Sequence, residues 1–204
     1  MYLYSIWVRL WHFVNALLII ILIISGMSMQ FTGSDTPSLT GGFARAVRWH
    51  NATAMVLIFS YLGFVAGNII TGNGKYYRIS KKDINPGMGR QMKYFIHGMF
   101  KNENQPFPVT LENKFYPLQK VIHVLIMYFA LPLLIISGSV LMIPDMTIIR
   151  IFGPGMFMVM DIIHIILGLL ISLFLIIHIY LCTIGPKPTS LFRGIITGFY
   201  GGDE

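Results

Sequence analysis

The sequence predicts an all-α membrane protein, a four-transmembrane-helix bundle with both termini on the cytoplasmic side. Three observations predict it. The 204 residues are 55% hydrophobic and only 11% charged, where a soluble domain carries about 25% charged residues. Four apolar stretches are each long enough to cross about 30 Å of hydrocarbon as a helix. Basic residues gather in alternate connections, as they do when one side of the membrane is cytoplasmic. The chain reads as one domain over residues 1–204, with no second domain.

The first span is expected over about residues 6–31. It resembles a cleaved leader only superficially, because its apolar run exceeds the 7–15 residues of a signal peptide and contains Trp11, His12 and Asn15. A short loop rich in Gly, Ser, Thr and Pro follows, from Thr32 to Gly42. The second span is expected over about 44–71 and opens on R-A-V-R-W-H, which puts His50 near its start. Gly72 to Tyr116 is the long connection. Within it Met88, Met92, Phe95 and Met99 share one helical face, and Arg90, Lys93, His97 and Lys101 share the other. That pattern predicts a basic amphipathic helix lying in the cytoplasmic interface, with His97 on its polar side. The third span is expected over about 117–143, a Gly/Pro loop over Pro144–Gly155, and the fourth span over about 156–185.

Four crossings put both termini on one side. The connections on that side carry 12 Lys and Arg, and those on the other carry 3, namely Arg45, Arg48 and Arg150. The positive-inside rule makes the richer side cytoplasmic. The net charge of +7 is therefore explained by anionic lipid and topology and not by nucleic acid. The single cysteine, Cys182, excludes an internal disulfide and a four-Cys cluster within the chain. It reads as a small buried apolar residue. No C-x-x-C-H is present, so any haem would be held non-covalently.

Histidine inside hydrocarbon is costly and marks a functional site by default. The fourth span holds His164 and His178, 14 residues apart, which is about four turns and about 21 Å on one helical face. Depth along the predicted spans groups His50 with His164 at the outer level. His12, His123 and His178 fall at the cytoplasmic level. A six-coordinate haem takes two axial ligands. The outer pair fits that need, while the inner level offers His178 with either His12 or His123. Zinc is the other frequent partner of histidine, but the outer level lacks neighbouring thiols, and Asp161 reads as an interfacial residue. The segments His12…Ser25-Gly26 and His123…Ser137-Gly138 echo each other weakly, as an old duplication or small residues at helix contacts would.

The motif R-L-W-H-F-V-N-A-L from Arg9 to Leu17, the R-W-H of Arg48 to His50, the K-F-Y-P-L-Q-K of Lys114 to Lys120 and the spaced pair His164/His178 resemble the di-haem cytochrome b subunits. These anchor formate dehydrogenases, NiFe hydrogenases and thiosulfate-type reductases to prokaryotic membranes. The resemblance covers nearly the whole chain. It implies two b haems, with His12 and His178 on the cytoplasmic-side iron and His50 and His164 on the outer one. Arg9 and Arg48, with Arg45, stand where propionates would emerge. It further implies menaquinone or ubiquinone as mobile substrate. Tyr116 and Leu118 occupy positions where the formate dehydrogenase branch carries Asn and Gly, so the quinone contacts are expected instead from Tyr116, Gln119, Lys120 and His123. An outer site near Asp145 and Arg150 is the alternative. The implied function is electron transfer between an outer redox partner and membrane quinone. That partner would be iron–sulfur and catalytic subunits or a multihaem c-type cytochrome. A stand-alone oxidoreductase like bacterial cytochrome b561, or a non-redox transporter, are the competing readings.

Overall fold

The computed structural model describes residues 1–31, 40–101, 103, 106, 107, 110, 114–143, 153, 155–183 and 189–199. Its regular structure is helical: α1 (Ile6–Phe31), α2 (Phe43–Thr71), α3 (Gly89–Lys93), α4 (Pro117–Leu125), α5 (Leu131–Met142), α6 (Gly155–Cys182) and α7 (Ser190–Thr197). Among the described residues there is no strand, only an isolated bridge between Tyr2 and Phe199. Four segments are long and apolar enough to cross a membrane: α1, α2, Pro117–Met142 and α6. The third joins α4 to α5 through a wide turn, Ile126–Ala130, in which the Leu131 N–H reaches back to the Ile126 carbonyl. This turn directly precedes Pro132, whose ring and missing N–H do not fit a regular α-helical ladder. The fourth span ends at Cys182, and positions 184 and 185 of the expected span lie outside the described residues.

Large apolar side chains point outward along the spans, among them Leu10, Leu17, Phe59, Ile70, Leu169 and Ile176. Small or polar residues are buried instead: Asn15, Ser25, Ser28, Thr53, Asn68 and Ser137. In hydrocarbon an exposed Leu costs nothing, while small residues let helices approach and polar ones bond across them.

The chain divides into two compact units. One comprises Tyr2–Val65 and Pro132–Glu204. Trp11 and Asn15, one turn apart on α1, fasten α2 there. The Trp11 ring stacks on Phe64 at 4.1 Å, its Nε1–H donates to the Ser60 carbonyl at 3.0 Å, and the Ser60 hydroxyl donates to Asn15 Oδ1 at 3.4 Å. The N-terminal strip lies against the end of α7. Leu3 N–H donates to the Gly198 carbonyl at 2.8 Å. Arg9 Nε donates to the Ile195 carbonyl at 3.2 Å, and Arg9 Nη2 donates to the Ile196 carbonyl. A cation on the last carbonyls of a helix also suits its dipole. Gly198 closes α7 with φ 86, and a side chain there would meet the Tyr2 ring at 2.7 Å.

The other unit comprises Met1 and Ala66–Leu131, and here the long connection folds onto the start of α4. Pro117 opens that helix, and the next N–H, Leu118, donates to Gln91 Oε1 at 3.0 Å. The Lys120 ammonium meets Asp83 Oδ2 at 2.9 Å. Tyr77 packs on Phe115 at 5.6 Å and on Tyr128 at 6.0 Å. The expected amphipathic helix departs from its pattern. Its basic residues Arg90, Lys93, His97 and Lys101 are exposed as expected. Met88, Phe95 and Met99 of the apolar face are half-buried and Met92 is exposed, while the fully buried residues are Gly87, Gln91 and Gly98. The segment is an α-helical turn followed by the wide turn Tyr94–Gly98 and a tight turn Met99–Lys101. A wide turn takes up an extra residue, so the segment is not one regular helix.

Candidate functional site

His164 and His178 project from α6, 14 residues apart. Each faces one histidine of another helix. The rings of His50 on α2 and His164 have centroids 6.1 Å apart. Those of His12 on α1 and His178 have centroids 6.3 Å apart. All four are half-buried. Metal–nitrogen bonds of about 2 Å on each side set facing imidazoles about 6 Å apart, so each gap suits one ion between two rings. Among the described residues no group of three or more His, Cys, Asp or Glu converges on a metal position. Two protein ligands per ion would leave the remaining coordination to a cofactor, and a haem held by the two imidazoles of each pair would meet that requirement. Residues present and group implied therefore fit.

The surroundings of the two pairs differ. At the first, the Ser25 hydroxyl lies 3.0 Å from His50 Nδ1, and the Ser137 hydroxyl lies 3.1 Å from His164 Nδ1. Each serine is followed by a glycine beneath the same ring. A Cβ on Gly138 would stand 2.8 Å from His164 Cε1, and one on Gly26 would stand 3.6 Å from His50 Cε1. At the second pair His178 stacks on Phe174, with centroids 5.4 Å apart, and its Nε2 is 3.9 Å from the Cys182 sulfur. Cys182 is half-buried rather than fully enclosed. His12 Nδ1 is buried and has no hydrogen-bond partner among the described residues, a vacancy in polar satisfaction that ligation or an additional donor would fill. The two Ser-Gly pairs carry the weak echo noted in the sequence. That echo is the signal that could have placed them beside a site, and neither a duplication nor helix contact by itself points to their histidine partners.

The motif Arg9–Leu17 separates into distinct duties. Trp11 and Asn15 fasten α2, His12 faces His178, and Arg9 caps α7. Two Arg9 donors are thus committed to carbonyls. Arg48 and Arg45 are exposed near the start of α2. Asp161 is exposed, whereas Asp145 and Arg150 lie outside the described residues.

The expected quinone residues are all in the unit containing α4. Tyr116 is buried at the helix entry, and its carbonyl accepts the Lys120 N–H at 2.8 Å. The Lys120 side chain is bound to Asp83, and Gln119 is half-buried. His123 Nδ1 lies 2.8 Å from the Gln119 carbonyl. A carbonyl only accepts, so Nδ1 carries the proton, and the neutral ring presents a lone pair at Nε2. The ring stacks on Phe115, with centroids 5.9 Å apart and planes 22° apart.

Four apolar spans and facing histidines on them define a multi-pass membrane cytochrome of the b type. The chain belongs to the prokaryotic cytochrome b561 family, whose model matches residues 3–198. It is 34% identical over 199 residues to the Escherichia coli (strain K12) protein called "Putative cytochrome YdhU", an overlap of 98% of this chain and 74% of that protein. No solved structure matches. Transmembrane electron transfer with b haem is the function of this class.

Proposed function

We propose that the chain carries electrons between a redox partner outside the membrane and a quinone near the cytoplasmic face, using two b haems. One is held by His50 and His164, and the other by His12 and His178. The observation that carries this reading is the pair of imidazole–imidazole gaps, 6.1 and 6.3 Å, arranged along a single helix. Haem supplies a reversible one-electron iron couple when bound. The protein's part is to hold the imidazoles, exclude water and set the two sites about 21 Å apart along α6. Moving an electron inward against an inside-negative potential costs about 2.3 kcal/mol per 100 mV for a full crossing. The 12-to-3 distribution of basic residues supports an N-in, C-in chain in the cytoplasmic membrane of a prokaryote.

The proposed quinone site comprises Tyr116, Gln119, Lys120 and His123. With Nδ1 given to Gln119, neutral His123 accepts a proton from a quinol hydroxyl at Nε2. Protonated His123 donates to the carbonyl of a quinone being reduced. His123→Leu should therefore keep both haem spectra and slow quinone-dependent redox turnover, and His123→Gln should be milder. Loss of a haem in His123→Leu would make His123 a ligand instead. Unchanged turnover would put the quinone elsewhere.

The central test is a pyridine haemochrome count with low-temperature EPR on the purified protein. Two low-spin haems are expected. His50→Ala and His164→Ala should lose the same haem, and His12→Ala and His178→Ala the other. A single haem, or a colourless protein, would sink the proposal. A stand-alone oxidoreductase is the second reading, with which the match to the prokaryotic cytochrome b561 family over residues 3–198 is equally consistent. Co-purification of a cluster-bearing or multihaem subunit would decide for the anchor.

A further inference from the structure

We infer that Ser25 and Ser137 are positioning residues that orient the rings of His50 and His164, take up the Nδ1 proton together with neighbouring helix carbonyls, and lower the redox potential of the iron between them. The inference rests on the assignment of those histidines as a ligand pair.

The serine hydroxyls have more contacts than they have protons. Ser25 Oγ is 2.7 Å from the Ile21 carbonyl, 3.2 Å from the Leu22 carbonyl and 3.0 Å from His50 Nδ1. Ser137 Oγ is 3.1 Å from the Leu134 carbonyl and 3.1 Å from His164 Nδ1. Each hydroxyl has one proton and two lone pairs, and a carbonyl has no proton to give. If the serine proton went to the imidazole, hydroxyl and carbonyl oxygens would face each other unbonded, at 2.7 Å in the case of Ser25. The consistent arrangement sends the serine proton to the helix carbonyl and the Nδ1 proton to the serine oxygen. His50 and His164 also donate toward the Leu22 and Leu134 carbonyls, so serine and carbonyl together set the ring proton. Nε2 is then unprotonated at both rings, which is the form that ligates iron. Both serines are almost completely buried, each at 1% exposure, so water does not compete for the bond.

Two consequences follow. Each ring is held by a helix other than its own, His50 by α1 and His164 by α5, so the ligand planes are fixed before an ion arrives. An imidazole that donates from its second nitrogen is also a stronger base toward the metal, which favours ferric over ferrous iron. The His12/His178 pair differs, since His12 Nδ1 has no such acceptor among the described residues.

The test is a spectroelectrochemical titration of the whole purified protein and its Ser25→Ala, Ser137→Ala, Ser25→Thr and Ser137→Thr variants. Each alanine variant should move only the wave that His50→Ala abolishes. The ferrous-to-ferric ratio at fixed potential should rise about tenfold, which is about 59 mV upward for one electron. The threonine variants keep a hydroxyl and should stay near the parent. An alanine variant that loses this haem while its threonine counterpart keeps it also supports the inference. Unmoved waves, both waves moving together, or threonine variants matching alanine would overturn it. If His50→Ala leaves every haem in place, the ligand assignment itself has failed, whatever the serine variants do.

Discussion

At the scale of single residues, the site is shaped by how closely a backbone approaches a ring. Gly26 and Gly138 follow equivalent serines, yet their tolerances differ. A methyl on Gly26 would make ordinary contact with His50 Cε1 at 3.6 Å, whereas one on Gly138 would stand 2.8 Å from His164 Cε1 and 3.3 Å from its Nδ1. The imidazole cannot retreat without leaving the Ser137 oxygen and the proposed iron position. Gly138→Ala should therefore lose the haem proposed between His50 and His164 or turn it high-spin, and Gly26→Ala should leave it low-spin. EPR of the two variants side by side checks this. Equal behaviour would remove the steric account. The rings of His123 and His50 illustrate a second residue-scale rule. A neutral imidazole has one proton, and the group that takes it decides what the other nitrogen can do.

At the scale of elements, the long connection is tied to the start of α4 by side chains rather than by a large apolar face. Gln91 supplies an acceptor for Leu118, and Asp83 pairs with Lys120. Burial raises the Asp83 carboxyl, but the Ser80 N–H and the Lys120 ammonium lower it more, so its folded pKa lies below the usual carboxylate range. A depressed folded value means the contribution is present above the unfolded value of about 3.9 and is lost as pH falls through the folded one. Lys120→Met should therefore speed amide exchange over Ser80–Gln91 at pH 7. A partly exposed pair contributes about 1 kcal/mol at most, so about fivefold is expected. The difference from the parent should persist at pH 5 and shrink only at strongly acid pH. A difference that already vanished at pH 5 would assign the effect to some other group. Arg9 makes a comparable tie at the other end of the chain, and Arg9→Gln should open α7 to protease while leaving the haem content unchanged.

At the scale of the whole chain, the Tyr2–Leu3 strip lies against Gly198 and Phe199, so both ends emerge on one side, as four crossings require. Reporter fusions at the two ends should therefore agree with each other. The 12-to-3 distribution of basic residues further predicts that both read as cytoplasmic. Two periplasmic readings would invert the orientation, and with it the side on which the proposed quinone site opens. One reading of each kind would contradict four crossings.

Span number and span position were legible in the sequence because apolar length is a property of a contiguous segment and hydrocarbon thickness sets its threshold. The shared face of His164 and His178 was legible for a similar reason, since helical rise and period convert a spacing into a direction. Facing relations between helices were legible only where depth left a single pair, as for His50 and His164. Depth alone left His12 and His123 as rival neighbours of His178, and the fold brings His12 to it, because Trp11 and Asn15 fix the rotation of α1 against α2. The roles of Ser25, Ser137 and Gly138 were hidden because each depends on a ring carried by another helix. The irregular course of the Met88–Lys101 segment was hidden because a wide turn breaks the regular period that a sequence pattern assumes. Sequence patterns carry what one helix does with its own period. Which histidine meets which, and which hydroxyl takes the spare ring proton, exist only once helices pack.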